Sequence, residues 1–376
     1  MIWCGYALGA AAMVYSVLAW LAVRRQPRSS REAGRELPAV TVLKPLCGAE
    51  TETYECLRSF CDQDYPSFQV IFGVADPNDP VIDIAQRLQR EFPQRDVQII
   101  IDAWQHGSSR KVSNLVNMMP HANHGYLVVS DSDVRVKRDY LGRVVAPLLE
   151  PDVGIVTCPY RGVSRGGFWS LLETMFINQW FMPSVRVAAM AGSRAFAFGA
   201  SIALRRDVLA RIGGFTSIVN QLADDYRVGE LTRGLGLRTV LSDVVVEIAV
   251  AERSFAELVG HELRWLRTIR TLRPAGYSFS FVTFTMPVAL IAACLSRGAP
   301  AALIMLTIAA AARILLHLHT RHAGATAAQL LIVPVRDLLS LALWALSFLN
   351  RRVRWRDDHF QVTRDGSVEL VVRVTQ

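Results

Sequence analysis

No charged residue occurs between Met1 and Val23, and none between Pro274 and Ser296. At ~1.5 Å of rise per residue each run is long enough to cross a bilayer, so a wholly water-soluble protein is excluded. A composition 51% hydrophobic points the same way. The first run also lacks a basic segment ahead of it; Arg24, Arg25, Arg28 and Arg31 follow it instead. That order disfavours a cleaved signal peptide and keeps the next segment in the cytoplasm. The six cysteines, at 4, 47, 56, 61, 158 and 294, contain no CxxC pair. Neither a disulfide frame nor a cysteine zinc site is indicated, and reduced, mostly buried thiols are expected. There is no internal repeat and no low-complexity tract, which removes repeat arrays.

A net charge of +8 could suit nucleic acid, but the arginines cluster beside the apolar ends, at 24, 25 and 28, at 264, 267, 270 and 273, and at 351, 352, 354 and 356. That placement reads as attraction to anionic lipid and as topology, with no nucleic-acid partner. Two further apolar zones follow: Gly298 to Thr320, which contains Arg313, and Ala323 to Asn350, split by Arg336-Asp337 next to Pro334. Each charge at mid-bilayer costs about 2.5–3.5 kcal/mol. The last zone is therefore expected to form a re-entrant or interfacial hairpin, the alternative being a tilted span with its charges buried. His317, His319 and His322 suit an interfacial position better than a metal site. The expected organisation is a transmembrane helix (residues 1–23), a solvated linker (24–37), a cytoplasmic domain (38–273), transmembrane or re-entrant helices (274–350) and a basic tail (351–376).

Within residues 38–273, strand-like and helix-like segments alternate. Val40 to Leu43 reads as a strand that runs into a loop at Lys44 to Gly48. Phe68 to Val74, Val97 to Ile101 and Tyr126 to Ser130 read as further strands, and Thr53 to Asp62 and Val81 to Phe92 as helices. This α/β alternation implies parallel βαβ units with ligands at the carboxyl ends of the strands. Two of those ends are acidic, with Asp76 and Asp79 after the second strand and Asp131 and Asp133 after the fourth. Two carboxylates one residue apart suit a hard divalent cation that completes its shell with diphosphate and water, although Asp and Ser are also ordinary turn residues.

Farther on, Phe198 to Arg206 leads into a helix, and Asp224-Asp225 opens another. One aspartate is enough to cap that helix; the second is available for chemistry. Ser254 to Glu257 is a capping box, starting a helix on which His261 and Arg264 share a face. Phe168 to Met182, rich in aromatics and methionine, is expected to lie in the headgroup zone and guide a lipid, more than to form a core helix.

In their order, Leu43-Lys44-Pro45-Leu46-Cys47-Gly48, Asp76-Pro77-Asn78-Asp79-Pro80, Lys111-Val112-Ser113-Asn114-Leu115, Asp131-Ser132-Asp133, Asp224-Asp225-Tyr226 and Arg264-Trp265 resemble the membrane-bound family 2/21 glycosyltransferases, in the ceramide glucosyltransferase-like branch. The resemblance covers about residues 38 to 275 and the N-terminal anchor. It implies an A-type glycosyltransferase fold, a mostly parallel nucleotide-binding sheet with an N-terminal anchor and a C-terminal helical membrane region. That branch carries three aspartates followed by (Q/R)xxRW. The matching positions are Asp79, Asp131 and Asp225, then His261 to Trp265, where His261 departs from Gln or Arg.

What the resemblance implies is an inverting transferase that moves a sugar from a UDP-sugar to a membrane-lipid hydroxyl. Asp76 and Asp79 would orient uracil and ribose, and Lys44 and Lys111 would face the donor. Asp131 and Asp133 would hold the sugar and a divalent metal, Mg²⁺ or Mn²⁺. Asp225 would be the general base, Arg264 would stabilise the leaving diphosphate, and Trp265 would wall the acceptor cleft. Lys44 to Gly48 and Lys111 to Met118 look most like the bacterial hopanoid glycosyltransferases. That implies transfer of N-acetylglucosamine from UDP-N-acetylglucosamine to bacteriohopanetetrol at the bacterial inner membrane, with UDP-glucose and ceramide as the alternative. A processive polysaccharide synthase would carry QxxRW and more spans, and a non-catalytic scaffold would need no three acidic sites on one cleft.

Overall fold

The computed structural model describes residues 1–25, 36–321 and 329–349, together with the backbone of three short strands between 352 and 373. Most of the linker expected at 24–37, His322 and the side chains of the basic tail lie outside the described residues.

After α1 (Ile2–Arg24) the chain alternates β1 (Val40–Leu46), α2 (Thr53–Cys61), β2 (Phe68–Val74), α3 (Val81–Glu91), β3 (Asp96–Ile101), α4 (Arg110–Met118) and β4 (Tyr126–Ser130). These strands lie parallel in the order β3-β2-β1-β4. β2 is buried along its whole length because helices cover both of its faces; it is apolar except for Gln69, which accepts from Thr41 Oγ1 at 2.9 Å and donates to the His121 carbonyl at 3.2 Å. Ser109 caps α4 by accepting the Val112 N–H at 3.2 Å. α4 lies close on β2 because residue 73 is glycine; a Cβ there would stand 2.2 Å from Asn114 Oδ1. Asn114 Nδ2 donates to the Gly73 carbonyl at 2.7 Å.

β1 continues past the loop expected at Lys44, and Lys44 is fully buried inside it. Its ammonium donates to the Asp131 carbonyl at 2.6 Å and lies 3.8 Å from the centre of the Phe60 ring. Those contacts replace water for the buried charge.

The second half of the domain runs through β5 (Val134–Arg135), α5 (Tyr140–Val145), β6 (Val153–Thr157), β7 (Tyr160–Ser164), α6 (Phe168–Phe176), a π turn (Ile177–Phe181) and α7 (Met182–Met190). β8 (Ser201–Arg205), α8 (Arg206–Arg211), α9 (Asp224–Gly234), β9 (Arg238–Leu241) and β10 (Val246–Val250) complete it. β8 inserts antiparallel between β4 and β6, and β9 closes the edge, giving the order β3-β2-β1-β4-β8-β6-β9. Phe198 to Arg206 thus forms a strand before its helix. Ala203 packs into one core layer and Ile202 and Leu204 into the other, the two-residue alternation of a strand. β5, β10 and β7 make a second, small sheet.

Most of the Phe168 to Met182 stretch is a core element rather than a surface, although Phe168 at its start is half-exposed. Residues 172–179 are all buried, and Asn178 exchanges two hydrogen bonds with the backbone of Gly162 in β7. Its aromatic rings find partners inside the domain, stacking Phe176 on Trp180 and Phe181 on Tyr160.

The helical region contains α10 (Phe255–Leu272), α11 (Pro274–Phe279), α12 (Thr285–Leu295), α13 (Pro300–Thr320) and α14 (Gln329–Leu346). Among the described residues, α1, α13 and Gln329–Leu349 are long and apolar enough to cross a membrane, and the segments Pro274–Thr283 and Thr285–Leu295 form a pair bent by 75°. α1 presents a stripe of buried small residues (Gly5, Gly9, Ala12, Ser16, Ala19) to its neighbours, which lets helix backbones approach where lipid gives no hydrophobic drive. The break expected at Arg336-Asp337 does not occur, because both charges are paired. Arg313 grips Asp337 with two nitrogens, at 3.0 and 2.7 Å, and donates to Gln179 at 2.8 Å. Arg336 donates to Glu262 of α10 at 2.6 Å. The interruption falls instead at Phe284, inside the uncharged run. His317 is buried rather than interfacial, 3.0 Å from Gln179. Where a tail was expected, β11 (Arg352–Trp355), β12 (Asp358–Val362) and β13 (Val368–Arg373) form an antiparallel sheet.

Removing one partner of a buried pair leaves an uncompensated charge, at about 3–5 kcal/mol, whereas an apolar pair of similar volume is close to neutral. Asp337→Ala should therefore sharply lower the thermal denaturation midpoint in detergent, and Arg313→Met with Asp337→Leu should recover most of the loss.

Candidate active site

The acidic residues at the carboxyl end of β4 meet two other elements. The first turn of α4 brings the Lys111 ammonium 2.6 Å from Asp131 Oδ1 and 3.5 Å from Asp224 Oδ2 at the start of α9. The loop before β8 supplies backbone: Asp131 N–H donates to the Ala200 carbonyl at 3.3 Å, and Gly199 N–H donates to Asp225 Oδ2 at 2.6 Å. A Cβ at residue 199 would stand 3.2 Å from that oxygen, so glycine permits the approach. Neither aspartate caps α9, whose N-cap is Ala223 with no side-chain bond. Successive helical residues are ~100° apart around the axis. Asp224 therefore turns to Lys111, while Asp225 accepts from Gly199 and from the Tyr226 N–H at 2.8 Å.

This crowding shifts the titrations. Burial and the charge of Asp131 push Asp133 up to about 7. Burial and Asp224 push Asp225 up to about 7 as well, against the pull of Lys111. Burial alone would depress Lys111, but Asp131 and Asp224 outweigh it and hold the ammonium above its ordinary value. Burial lowers Lys44 to about 8. Burial also lowers Arg264, opposed by the charges of Glu173, Asp131 and Asp133. Arg264 therefore belongs to the same electrostatic neighbourhood as the acidic pair.

The other residues singled out in the sequence fall in two groups. Asp76 and Asp79 stand at the carboxyl end of β2, two strands from β4. Asp76 turns its own loop by accepting the Asn78 N–H at 2.9 Å, and Asp79 ties the Gly48 N–H (2.7 Å) to that of Val81 (2.9 Å). Lys44 lies beneath the acidic loop and supports its backbone, with no exposed surface to offer a donor. Trp265 sits among rings, 5.5 Å from Phe181, 6.1 Å from Tyr160 and 5.1 Å edge-to-face from His261. Sequence reasoning missed Asp224 as the Lys111 partner and Gly199 as the donor to Asp225. The only visible signal was the doubled aspartate.

Asp131 and Asp133 fit a divalent cation. They offer hard oxygen donors one residue apart, and burial together with the charge of Asp131 raises Asp133, a crowding that a bound cation would relieve.

A mixed, mostly parallel sheet with an acidic pair at the end of its central strand is the A-type glycosyltransferase fold. A mannosyltransferase from Pyrobaculum calidifontis, solved in complex with GDP-Man and Mn²⁺, shares it with a TM-score of 0.55 over 92% of this chain and 97% of its own, at 21% identity. The chain belongs to glycosyl transferase family 21, whose model matches residues 4–368. Ceramide glucosyltransferase 3 of Caenorhabditis elegans is 21% identical over 232 residues, 61% of this chain and 50% of that protein. Ceramide glucosyltransferase 1 of the same animal is 24% identical over 243 residues, 63% and 51% respectively. The ceramide glucosyltransferase of Candida albicans is 35% identical over 121 residues, 29% and 22%. The chain thus spans about half the length of the first two relatives.

Asp131→Asn and Asp133→Asn should each lower turnover on the order of a hundredfold or more, because each removes charge preorganised for the transition state. Both should also weaken donor binding that depends on divalent metal, measured by calorimetry with and without EDTA. Unchanged activity in excess EDTA would overturn the metal role.

Proposed function

We propose that the protein transfers a hexose from a UDP-sugar to the hydroxyl of a membrane lipid, with inversion at the anomeric carbon. The observation that carries this reading is the convergence of Asp131, Asp133, Lys111, Asp224 and Asp225 at the carboxyl end of β4, within a chain that has helices apolar enough to cross a membrane. Asp76 and Asp79 face the nucleoside. Asp131 and Asp133 hold a divalent cation, Mg²⁺ or Mn²⁺, which when bound supplies positive charge to the diphosphate. Lys111 and Arg264 add cationic charge around the same group. Asp225 takes the acceptor's proton as the acceptor oxygen attacks the sugar, and UDP departs from the opposite face. A carboxylate pushed up to about 7 is a stronger base than an ordinary one and is still ionised at neutral pH in a useful fraction.

The curated relatives act, by name, on ceramide, and this supports UDP-glucose and ceramide as the substrate pair. The wording around Lys44 to Gly48 and Lys111 to Met118 supports the second reading, UDP-N-acetylglucosamine and bacteriohopanetetrol. In both readings the domain between α1 and α11 faces the cytoplasm, and the second sets it at the bacterial inner membrane. Purified enzyme offered each donor with each acceptor separates them. Transfer to neither lipid, with UDP released by water alone, would overturn the lipid-transferase reading.

The base assignment has its own signature. Below its pKa Asp225 carries a proton and cannot accept another. With metal saturating, kcat/KM should rise about tenfold per pH unit and level off near 7, whereas an unperturbed aspartate would level off near ~4. Asp225→Asn should abolish this limb and reduce turnover by on the order of a hundredfold or more. An active Asp225→Asn enzyme excludes Asp225 as the base.

A further inference from the structure

A second group of donors lies one helical turn before Arg264. His261 on α10 brings Nδ1 to 2.8 Å from Glu252 Oε1, just past β10, and to 3.6 Å from Glu173 Oε1 on α6. The three side chains can each present one ligand atom within 4.8 Å of the others. In a tetrahedral zinc site with bonds of ~2.0–2.1 Å, neighbouring donors stand ~3.3 Å apart, and the two measured separations bracket that edge.

Glu173 supplies an independent indication. It is fully buried, and both of its carboxylate oxygens lack a hydrogen-bond partner. A buried carboxylate without a partner is expensive. Glu252 Oε2 and Glu262 Oε1 are likewise buried and unpartnered. Arg336 reaches Glu262 through Nη2, and its Nε and Nη1, also buried, have no hydrogen-bond partner. Three acids thus share one buried space, and burial with Glu262 and Glu252 drives the Glu173 carboxyl well above its ordinary value. Arg336 and Arg264 bring positive charge near Glu173, yet neither hydrogen-bonds its oxygens, which are left free to take a cation.

We propose that Glu173, Glu252 and His261 form a second divalent-cation site, distinct from Asp131 and Asp133 and matched to zinc. One imidazole and two carboxylates suit a borderline ion. A cation there would tie α6, the end of β10 and α10 together, fixing the helix that carries Arg264 and Trp265. Its role is positioning, since none of its ligands is placed on the donor or acceptor. In (Q/R)xxRW terms, the histidine at position 261 exchanges a non-ligand for a metal ligand.

The test uses full-length protein in detergent, stripped with chelator, in an Asp131→Asn/Asp133→Asn background that removes the first site. Zinc added and then desalted should remain at about one equivalent by elemental analysis, and Co²⁺ should give the visible absorption of a tetrahedral site. His261→Gln, the residue type the pattern holds there, and Glu173→Gln in the same background should each weaken retention at least tenfold. Circular dichroism and the elution profile check that the variants fold. Should they not fold, the Co²⁺ spectrum of the parent protein decides alone: a tetrahedral spectrum supports the site, and an octahedral or absent one overturns it. No retained zinc in the parent, or full retention in His261→Gln, also overturns it and leaves the three acids to protons and Arg336. The catalytic reading stands or falls separately.

Discussion

Negative charge gathered at one edge of a buried sheet is the constraint around which this protein is organised. Four carboxylates, Asp131, Asp133, Asp224 and Asp225, lie where β4 ends and α9 begins, and the described structure answers them with a lysine on each side. Lys111 enters from above and bridges Asp131 to Asp224. Lys44 comes from below and holds the backbone of the same loop. Burial, and then the neighbouring carboxylate, push Asp133 and Asp225 upward despite these two ammonium groups. A site poised in this way binds a cation or a proton readily, and the proposed sugar transfer uses both.

A related constraint governs the helical region. Arg313, Arg336 and Asp337 are too costly to leave unpaired in an apolar setting. They are resolved by contacts that cross from the apolar helices into the catalytic domain: Arg313 to Gln179 in the π turn, and Arg336 to Glu262 on α10. The π turn widens the helix where Gln179 must reach, a usual place for such a turn. α10 consequently carries Arg264 and, two residues earlier, Glu262, the partner in the ion pair to α14. The helix that bears Arg264 is thus tied to α14, a helix apolar enough to cross a membrane.

Much of the first half of the domain was legible along the chain. Phe68 to Val74 and Tyr126 to Ser130 are strands with the bounds their apolar runs suggest, because a strand covered on both faces is mostly apolar and admits a polar residue such as Gln69 only where it finds a partner. The second half was less legible. β6 to β10 are short, several mix small and polar residues, and the antiparallel insertion of β8 leaves no local mark. Lys44 was misread for a similar reason: a lysine in an apolar strand looks like its end until the carbonyl that receives it is known.

The sequence by itself determined the class of fold, the uncharged runs at both ends and the acidic pairs after β2 and β4, since these depend on local periodicity and on residues adjacent in the chain. Tertiary structure alone decided which aspartate of Asp224-Asp225 meets Lys111, that most of Phe168 to Met182 is core, and that Arg336 and Asp337 need no break in α14. Each of those outcomes rests on a partner at least sixteen residues away, and the free energy of a buried charge or ring is set by that partner rather than by its neighbours in sequence.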